Sequence, residues 1–382
     1  MRHWRQRNKD KDLSATQISS KTVEELRQAH SYIEDFLEFK ASEKLDKTYI
    51  AGTKSAMSFN DEKKVYPVYR FDGTVTGRLS CAAYTVGKHK KGVSFHTLPR
   101  GENDDNNIRS IFTAPKRDAY GTWAFITSDY SGMELRVLAH IAKEERMQKA
   151  FVDGLDLHTY SASIAFGKPY DKVTKNLRQI AKAVSFLIVY GGSAFTLSKK
   201  HGLSIRKSER IIDQWFAAYP AIPVFMDFVN DFIRENGYAY SLFGRRRHLE
   251  NVYSQNDKVV KRCLRQGLNF TIQSPSSDIL LCALLGITRE FKKRKLKARI
   301  CATVHDSLEA VCPVEELEEA ESIMRDFMIS NPIMKEVFGL EFSVPFEVET
   351  IVGHSFGDGI ELNFNNNIVT NMDEVAEYLY AT

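Results

Sequence analysis

Cysteine is scarce in this 382-residue chain: five residues, Cys81, Cys263, Cys282, Cys301 and Cys312, odd in number and without ligand spacing. That excludes a disulfide framework and a zinc ribbon, and fits reduced, mostly buried thiols in a cytoplasm-like compartment. No apolar run reaches the length of a membrane span. The first residues (Arg2, Arg5, Arg7, Lys9, Asp10, Lys11, Asp12) are charged and lead into no hydrophobic segment, so no secretory signal is expected. Charge of one sign is not in large excess. The balance is +4, which alone names no partner. Internal repeats and low-complexity tracts are missing as well.

What is present is enough chain for one large or two to three smaller domains with an ample core. Basic residues cluster at Lys88-His89-Lys90-Lys91, Arg245-Arg246-Arg247, 258–262 and 292–295. Any one run is usually a solvated face, but their repetition favours a polyanionic partner. Residues 1–20 read as a loosely attached lead-in. A helical pattern starts at Thr22, with Glu25 at capping-box spacing, and runs to Tyr49. Residues 65–71 alternate like a strand, and Asp72-Gly73 marks a turn. Residues 82–108 read as a basic loop with a turn at 104–107, and 108–112 and 123–128 as strands. A helix opens near Asp129 to Arg136, and 150–235 is helical with a pause at Pro220 and Pro223. A short strand at 240–243 precedes a turn at Gly244, and 259–289 is largely helical. Strands at 300–304 and 308–311 flank His305-Asp306-Ser307. A charged helix over 314–329, a strand near 346–352 and a polar tail complete the chain.

One stretch organises the rest. Arg178, Lys182, Phe186 and Tyr190 recur every four residues, with Gly191 closing the run. Positions four apart on an α-helix share a face. That face carries two cations, then an aromatic plate, then an aromatic with a hydroxyl, which suits a nucleotide laid lengthwise with its phosphates first. Taken alone, the segment reads equally as an amphipathic helix with solvated cations and core aromatics.

Asp129 falls at a strand end and Asp306 at a hairpin turn, rigid places from which carboxylates can be aimed at one point. Two carboxylates sharing a site repel unless a cation lies between them. Hard oxygen ligands without a Cys or His cage point to Mg²⁺, and a pair of such ions serves in-line phosphoryl transfer. Each Asp alone reads as well as a turn or helix-start residue. Ser131-x-x-Glu134 matches a capping box, so Glu134 has both a structural reading and one beside a nucleotide sugar. Arg265, Asn269 and Gln273 again recur every four residues, a polar face suited to minor-groove acceptors or to solvent.

Together these residues resemble motifs A, B and C of the family A DNA polymerases: Asp129-Tyr130-Ser131-x-x-Glu134-Leu135-Arg136, Arg178-x3-Lys182-x3-Phe186-x3-Tyr190-Gly191 and Val304-His305-Asp306, in that order. Thr76-Gly77-Arg78-Leu79-Ser80, Asp156-Leu157-His158-Thr159, Phe243-Gly244-Arg245-Arg246-Arg247 and Asn269-x3-Gln273 extend the likeness over residues 25–356.

The resemblance implies an α+β right-hand polymerase fold with an antiparallel-sheet palm, helical fingers and a reduced helical thumb. Its expected parts are a lead-in and thumb over 1–60, palm over 61–146 and 259–356, fingers over 147–258, and a tail over 357–382. It implies a template-directed DNA polymerase that adds dNTPs to a primer 3′-hydroxyl, with Asp129, Asp306 and the Tyr130 carbonyl holding two Mg²⁺ ions that Mn²⁺ can replace. His158, Arg178 and Lys182 would grip the triphosphate, Lys182 also acting in catalysis. Phe186 would stack on the nucleotide, Tyr190 would sit near the templating base, and Glu134 would gate against ribose. Arg78, Arg265, Asn269, Gln273, His305 and Arg246 would contact DNA. Gly132, Leu187, His96-Thr97 and Ser307 depart from the family pattern, where Gln, Gly, Gln-Asn and Glu are usual.

No room for a proofreading exonuclease precedes residue 25. The expected setting is therefore either a fragment of a longer protein or a short, phage-type enzyme in a host cytoplasm, working with separate exonuclease, helicase or clamp-type proteins. The alternatives are a single-subunit RNA polymerase, which a gate at Glu134 and an aromatic at Phe186 disfavour, and an inactive DNA-binding scaffold.

Overall fold

The computed structural model describes residues 32–57, 64–82, 84–86, 89–99, 107–115, 118–365 and 368–381. The expected lead-in, the Thr22–Glu25 capping box, Lys88 and most of the 104–107 turn lie outside them. The chain divides into two compact units, Met1–Val68 with Cys81–Ile108, and Tyr69–Ser80 with Arg109–Thr382.

In the first unit a helix, Tyr32–Lys44, passes through a wider π-type turn at Leu45–Ile50 into Ala51–Met57. Where the sequence reads as loop, Tyr84–Val86 and His89–Lys91 pair as an antiparallel hairpin. The overlooked signal is Gly87 directly after the β-prone run Tyr84-Thr85-Val86. Phe95–Thr97 forms a 3-10 turn, and the His96 Nδ1 accepts from the Cys81 amide at 3.3 Å.

The second unit is built on an antiparallel sheet of five strands: β1 Trp123–Tyr130, β2 Arg299–Val304, β3 Ser307–Pro313, β4 Val348–Gly353 and β5 Ile360–Glu361. Their spatial order is β5-β4-β1-β3-β2, which puts β1 at the centre. Alternation along β1 explains its two faces. Ala124, Ile126 and Tyr130 enter the main core with Leu308, Ala310 and Cys312 of β3. Phe125, Thr127 and Asp129 therefore look the other way, as do Ser307 and Glu309.

Six helices position the site: α1 Met133–Ile141, α2 Leu157–Phe166, α3 Lys175–Val189, α4 Asp257–Lys293, α5 Leu317–Ile329 and α6 Met372–Tyr380. The core side of the sheet is covered by Ile279 and Ala283 of α4, Ile323 and Met324 of α5, and Val375 and Leu379 of α6. A second core gathers α1, α2 and α3 around Trp215 and Tyr219. Their polar tips are satisfied: Trp215 Nε1 donates to Ser185 Oγ at 3.2 Å, and the Tyr219 and Ser161 hydroxyls lie 2.8 Å apart.

Further expectations are corrected. Residues Ile108–Ile111 form a 3-10 turn, not a strand, because a short apolar run does not distinguish the two. The short strand before Gly244 is Tyr238–Tyr240, paired with Arg246–His248. The polar tail is structured: β5 extends the sheet beside β4, and Leu362, Val375 and Leu379 are buried. One helix, α4, is long and apolar enough to span a membrane by length and composition, contrary to the sequence reading, but 78% of that stretch is buried within the protein. It is a core helix. Helix-rich bodies around one antiparallel sheet give the α+β class that was expected.

Candidate active site

β1 and β3 pair in the register Asp129↔Ser307, and the Tyr130 amide donates to the Asp306 carbonyl at 3.2 Å. Two acids far apart in sequence thus stand at the same end of neighbouring strands. Asp306 is held by a tight hairpin, since Val304 and Ser307 are Cα partners with only His305 and Asp306 between them. His305 takes the left-handed conformation, φ +59°, at a cost of about 1–2 kcal/mol for a residue other than glycine. Ser307 Oγ reaches the Val304 carbonyl at 2.9 Å and closes the turn. The Tyr130 ring points into the core, its hydroxyl donating to the Met328 carbonyl at 2.8 Å.

Glu134 does not cap its helix. The chain leaves β1 through Gly132 in the left-handed region (φ +63°), which becomes the N-cap of α1 without any side-chain cap bond. Ser131 therefore falls outside the first turn, and the carboxylate of Glu134 is free to face the site. It is buried and accepts from Arg78 Nη2 at 2.8 Å and from the Tyr190 hydroxyl at 2.9 Å. Arg78 also donates to Asp306 Oδ1 at 3.1 Å. Burial pushes the Glu134 carboxyl above its ordinary range, against the pull of Arg78, Tyr190 and Gln273. Burial and Glu134 together push the Tyr190 hydroxyl up to about 12.

The cationic face of α3 forms as the spacing predicts. The helix itself ends at Val189; Tyr190 is its C-cap, and Gly191 turns the chain at φ +63°. Arg178 is not idle: its Nε and Nη2 make a fork to Asp156 at 2.9 and 2.8 Å. Asp156 also caps α2 by accepting from the Thr159 amide at 2.7 Å. Burial opposes the ionised form, yet the Arg178 and Thr159 hydrogen bonds outweigh it and hold the Asp156 carboxyl down at about 2. His158, two residues along α2, is driven to about 4 by burial, with Lys182 and Arg178 acting in the same direction and Asp156 against it. Its buried Nδ1 has no protein partner among the described residues. The His158 ring lies 6.0 Å from that of Phe186, and Phe186 stacks with Tyr190 at 6.4 Å and 15°. Lys182 Nζ sits 6.0 Å from the Phe186 ring.

Of the polar face on α4, Gln273 lies beside the Glu134–Tyr190 pair and favours the ionised form of both. Asn269 Nδ2 is buried without a protein partner among the described residues. The stem of Arg265 passes so close to Gly191 that a Cβ there would lie 2.7 Å from Arg265 Cγ. His305 is exposed at the hairpin tip. Arg246 is set apart, its guanidinium 5.2 Å from the Tyr238 ring. The structure thus gathers Arg78, Asp129, Glu134, Tyr190, Gln273 and Asp306 in one group, and His158, Arg178, Lys182 and Phe186 in a second that Tyr190 joins to the first.

Sequence reasoning gave no role to two acids. One is Asp156, whose Asp-x-x-Thr cap spacing was visible. The other is Glu309, fully buried on the face of β3 that carries Ser307. Its oxygens accept from Thr127 Oγ1 and Ser307 Oγ, each at 2.6 Å. Burial raises its carboxyl to about 7 despite those bonds, and Asp129 adds to the rise. A lone acid within an apolar strand was the available signal.

Residues 2–358 match the family described as DNA polymerase family A. The chain belongs to that family. Among its relatives are the DNA polymerases I of Chloroflexus aurantiacus, 33% identical over 82% of this chain, and Bacillus subtilis, 30% identical over 89%. The chain spans 32% and 36% of those proteins, about a third of their length. The POL domain of Pol1 from M. smegmatis, solved in complex with DNA primer-template and dNTP, superposes with a TM-score of 0.78 over 91% of this chain and 58% of that one, at 26% identity. The right-hand polymerase fold is thereby the fold of this family A chain. Its last residues, 359–382, lie beyond the family match and include β5 and α6.

Proposed function

We propose that this chain is the polymerase module of a template-directed DNA polymerase, in which a primer 3′-hydroxyl attacks the α-phosphate of a dNTP and pyrophosphate leaves. The observation that carries the reading is the pairing of Asp129 with Ser307 beside Asp306, which sets two carboxylates at one sheet end. The primer-template and dNTP bound by the M. smegmatis domain support DNA and dNTPs as the partners here. In this reading the palm comprises 61–146 and 259–356, the fingers 147–258, the thumb 1–60, and 357–382 is an appended tail. Separate exonuclease, helicase or clamp-type proteins are the further partners it expects.

The donor set suits divalent cations. Arg78 stands 3.1 Å from Asp306 and 2.8 Å from Glu134, so the negative charge gathered here already draws one cation. Among the described residues no group of three or more His, Cys, Asp or Glu forms a metal cage. Few protein ligands suit an ion that keeps water and substrate oxygens, as Mg²⁺ does and Mn²⁺ can. Asp129, Asp306 and the Tyr130 carbonyl would hold it. Such ions, when bound, favour ionisation of the attacking hydroxyl and offset charge on the leaving oxygen.

The chain's own residues do the positioning. Arg178 and Lys182 neutralise the triphosphate, the first as a fork and the second as a mobile point charge. His158 is neutral near pH 7, and its Nδ1, which has no protein partner among the described residues, offers a further polar contact. Phe186 provides a plate for the base or sugar. Glu134, buried and pinned from two sides, narrows the space beside the sugar, which also weighs against an RNA polymerase. Arg78, Arg265, Asn269, Gln273, His305 and Arg246 face DNA in this reading.

Primer extension with the full chain, Mg²⁺ and dNTPs tests it. Asp306→Ala should abolish extension while anisotropy shows primer-template DNA still bound. Undiminished extension by that variant would remove the assignment.

A further inference from the structure

We propose that Glu309 is a positioning residue for the cation site at Asp129 and Asp306, an inference that rests on the reading above. A carboxyl with no exposed surface is costly unless its oxygens are paired. Both partners of Glu309 bear on the site. Thr127, its Cα partner on β1, lies two residues before Asp129 on the same face. Ser307, the Cα partner of Asp129, directly follows Asp306.

Through these two hydroxyls, each at 2.6 Å, one carboxyl ties β1 to β3 on the face where the acids stand. The Ser307 Oγ also lies 2.9 Å from the Val304 carbonyl, beside the turn that aims Asp306. Glu309 touches no reacting atom. It sets the orientation of the acids that do.

The test is Mn²⁺ binding to the nucleotide-free full chain, followed by electron paramagnetic resonance, with melting temperatures recorded alongside. Glu309→Gln and Ser307→Ala should each weaken Mn²⁺ binding by about tenfold, the usual effect of removing a residue that orients a ligand. The Mg²⁺ concentration for half-maximal extension should rise by a similar factor, with kcat at saturating Mg²⁺ little changed. A merely structural role would lower the melting temperature and leave the isotherm of the folded protein unmoved. Should Glu309→Gln fail to fold, Ser307→Ala decides, because it removes the Glu309 bond next to Asp306 and keeps the acid. If Asp306→Ala abolishes Mn²⁺ binding while both variants bind as wild type, the role of Glu309 is overturned and the metal site stands. If wild type shows no Asp306-dependent Mn²⁺ binding, both fall.

Discussion

The Tyr190 hydroxyl donates to Glu134 Oε2 at 2.9 Å while Arg78 holds Oε1 at 2.8 Å, so the end of α3 and the start of α1 meet on one buried carboxylate. Removing the hydroxyl leaves a desolvated oxygen without its donor, at a cost of about 1–3 kcal/mol. Tyr190→Phe should therefore melt at a lower temperature than wild type and should loosen Glu134. Incorporation of ribonucleotides should rise in Tyr190→Phe and rise further in Glu134→Ala, with the double variant no worse than Glu134→Ala. Ratios of kcat/KM for dNTP and rNTP measure this. An unchanged ratio in Glu134→Ala would leave the residue no part in sugar selection.

The fork between Arg178 and Asp156 sets a pH dependence. Asp156 is held at about 2, below its ordinary 3.8. A carboxylate depressed on folding contributes stability that is fully present above the unfolded value and is lost as pH falls through the folded one. Asp156→Asn should thus melt below wild type at pH 7 and pH 5 alike, and the gap should close between about pH 4 and pH 2. Thermal melts across that range check it. A gap of constant size would show that the loss comes from the α2 cap geometry and not from the charge.

These two contacts also mark where sequence stops informing. The four-residue spacing of Arg178, Lys182, Phe186 and Tyr190 was legible because a helix turns periodicity directly into a face. The meeting of Asp129 and Asp306 was legible only as a resemblance, since strand register depends on pairing between distant segments. Glu134 looked like a capping residue because Ser131-x-x-Glu134 has the right spacing, yet Gly132 in the left-handed region moved the helix start by one residue. Glu309 was passed over because alternation alone does not say which strand faces are closed to water. The tail read as polar because Val375 and Leu379 sit in a helix with three acids, and only β5 and α6 packing against the sheet revealed its apolar side.

Gly191 carries two constraints that a single control can separate. Its φ of +63° costs any L side chain about 1–2 kcal/mol, and a Cβ would press on Arg265 at 2.7 Å. Gly202 has nearly the same φ, +64°, with nothing within 4 Å of its Cβ position. Both Gly191→Ala and Gly202→Ala should lose a similar amount of stability from the backbone. Only Gly191→Ala should also weaken primer-template binding, because Arg265 must move. Fluorescence anisotropy with labelled DNA separates them, and equal affinities would mean that Arg265 contributes nothing to the interface.

Helix α6, in the segment beyond the family match, buries its apolar side against the sheet. Leu379 is 1% exposed in the core cluster shared with the sheet, whereas the neighbouring Tyr380 is 57% exposed. Truncating a buried leucine removes its transfer free energy and leaves a cavity, about 2–5 kcal/mol in sum. Truncating an exposed residue of the same helix changes stability by at most about 0.5 kcal/mol. Leu379→Ala should therefore lower the melting temperature by several degrees and Tyr380→Ala should not. Leu379 lies on the core side of the sheet, away from the face that carries Asp129, so kcat for extension below the melting range should stay near wild type in both. Equal melting of the two variants would mean that α6 adds nothing to the stability of the sheet, and the appended segment would then need a reason for its presence other than support.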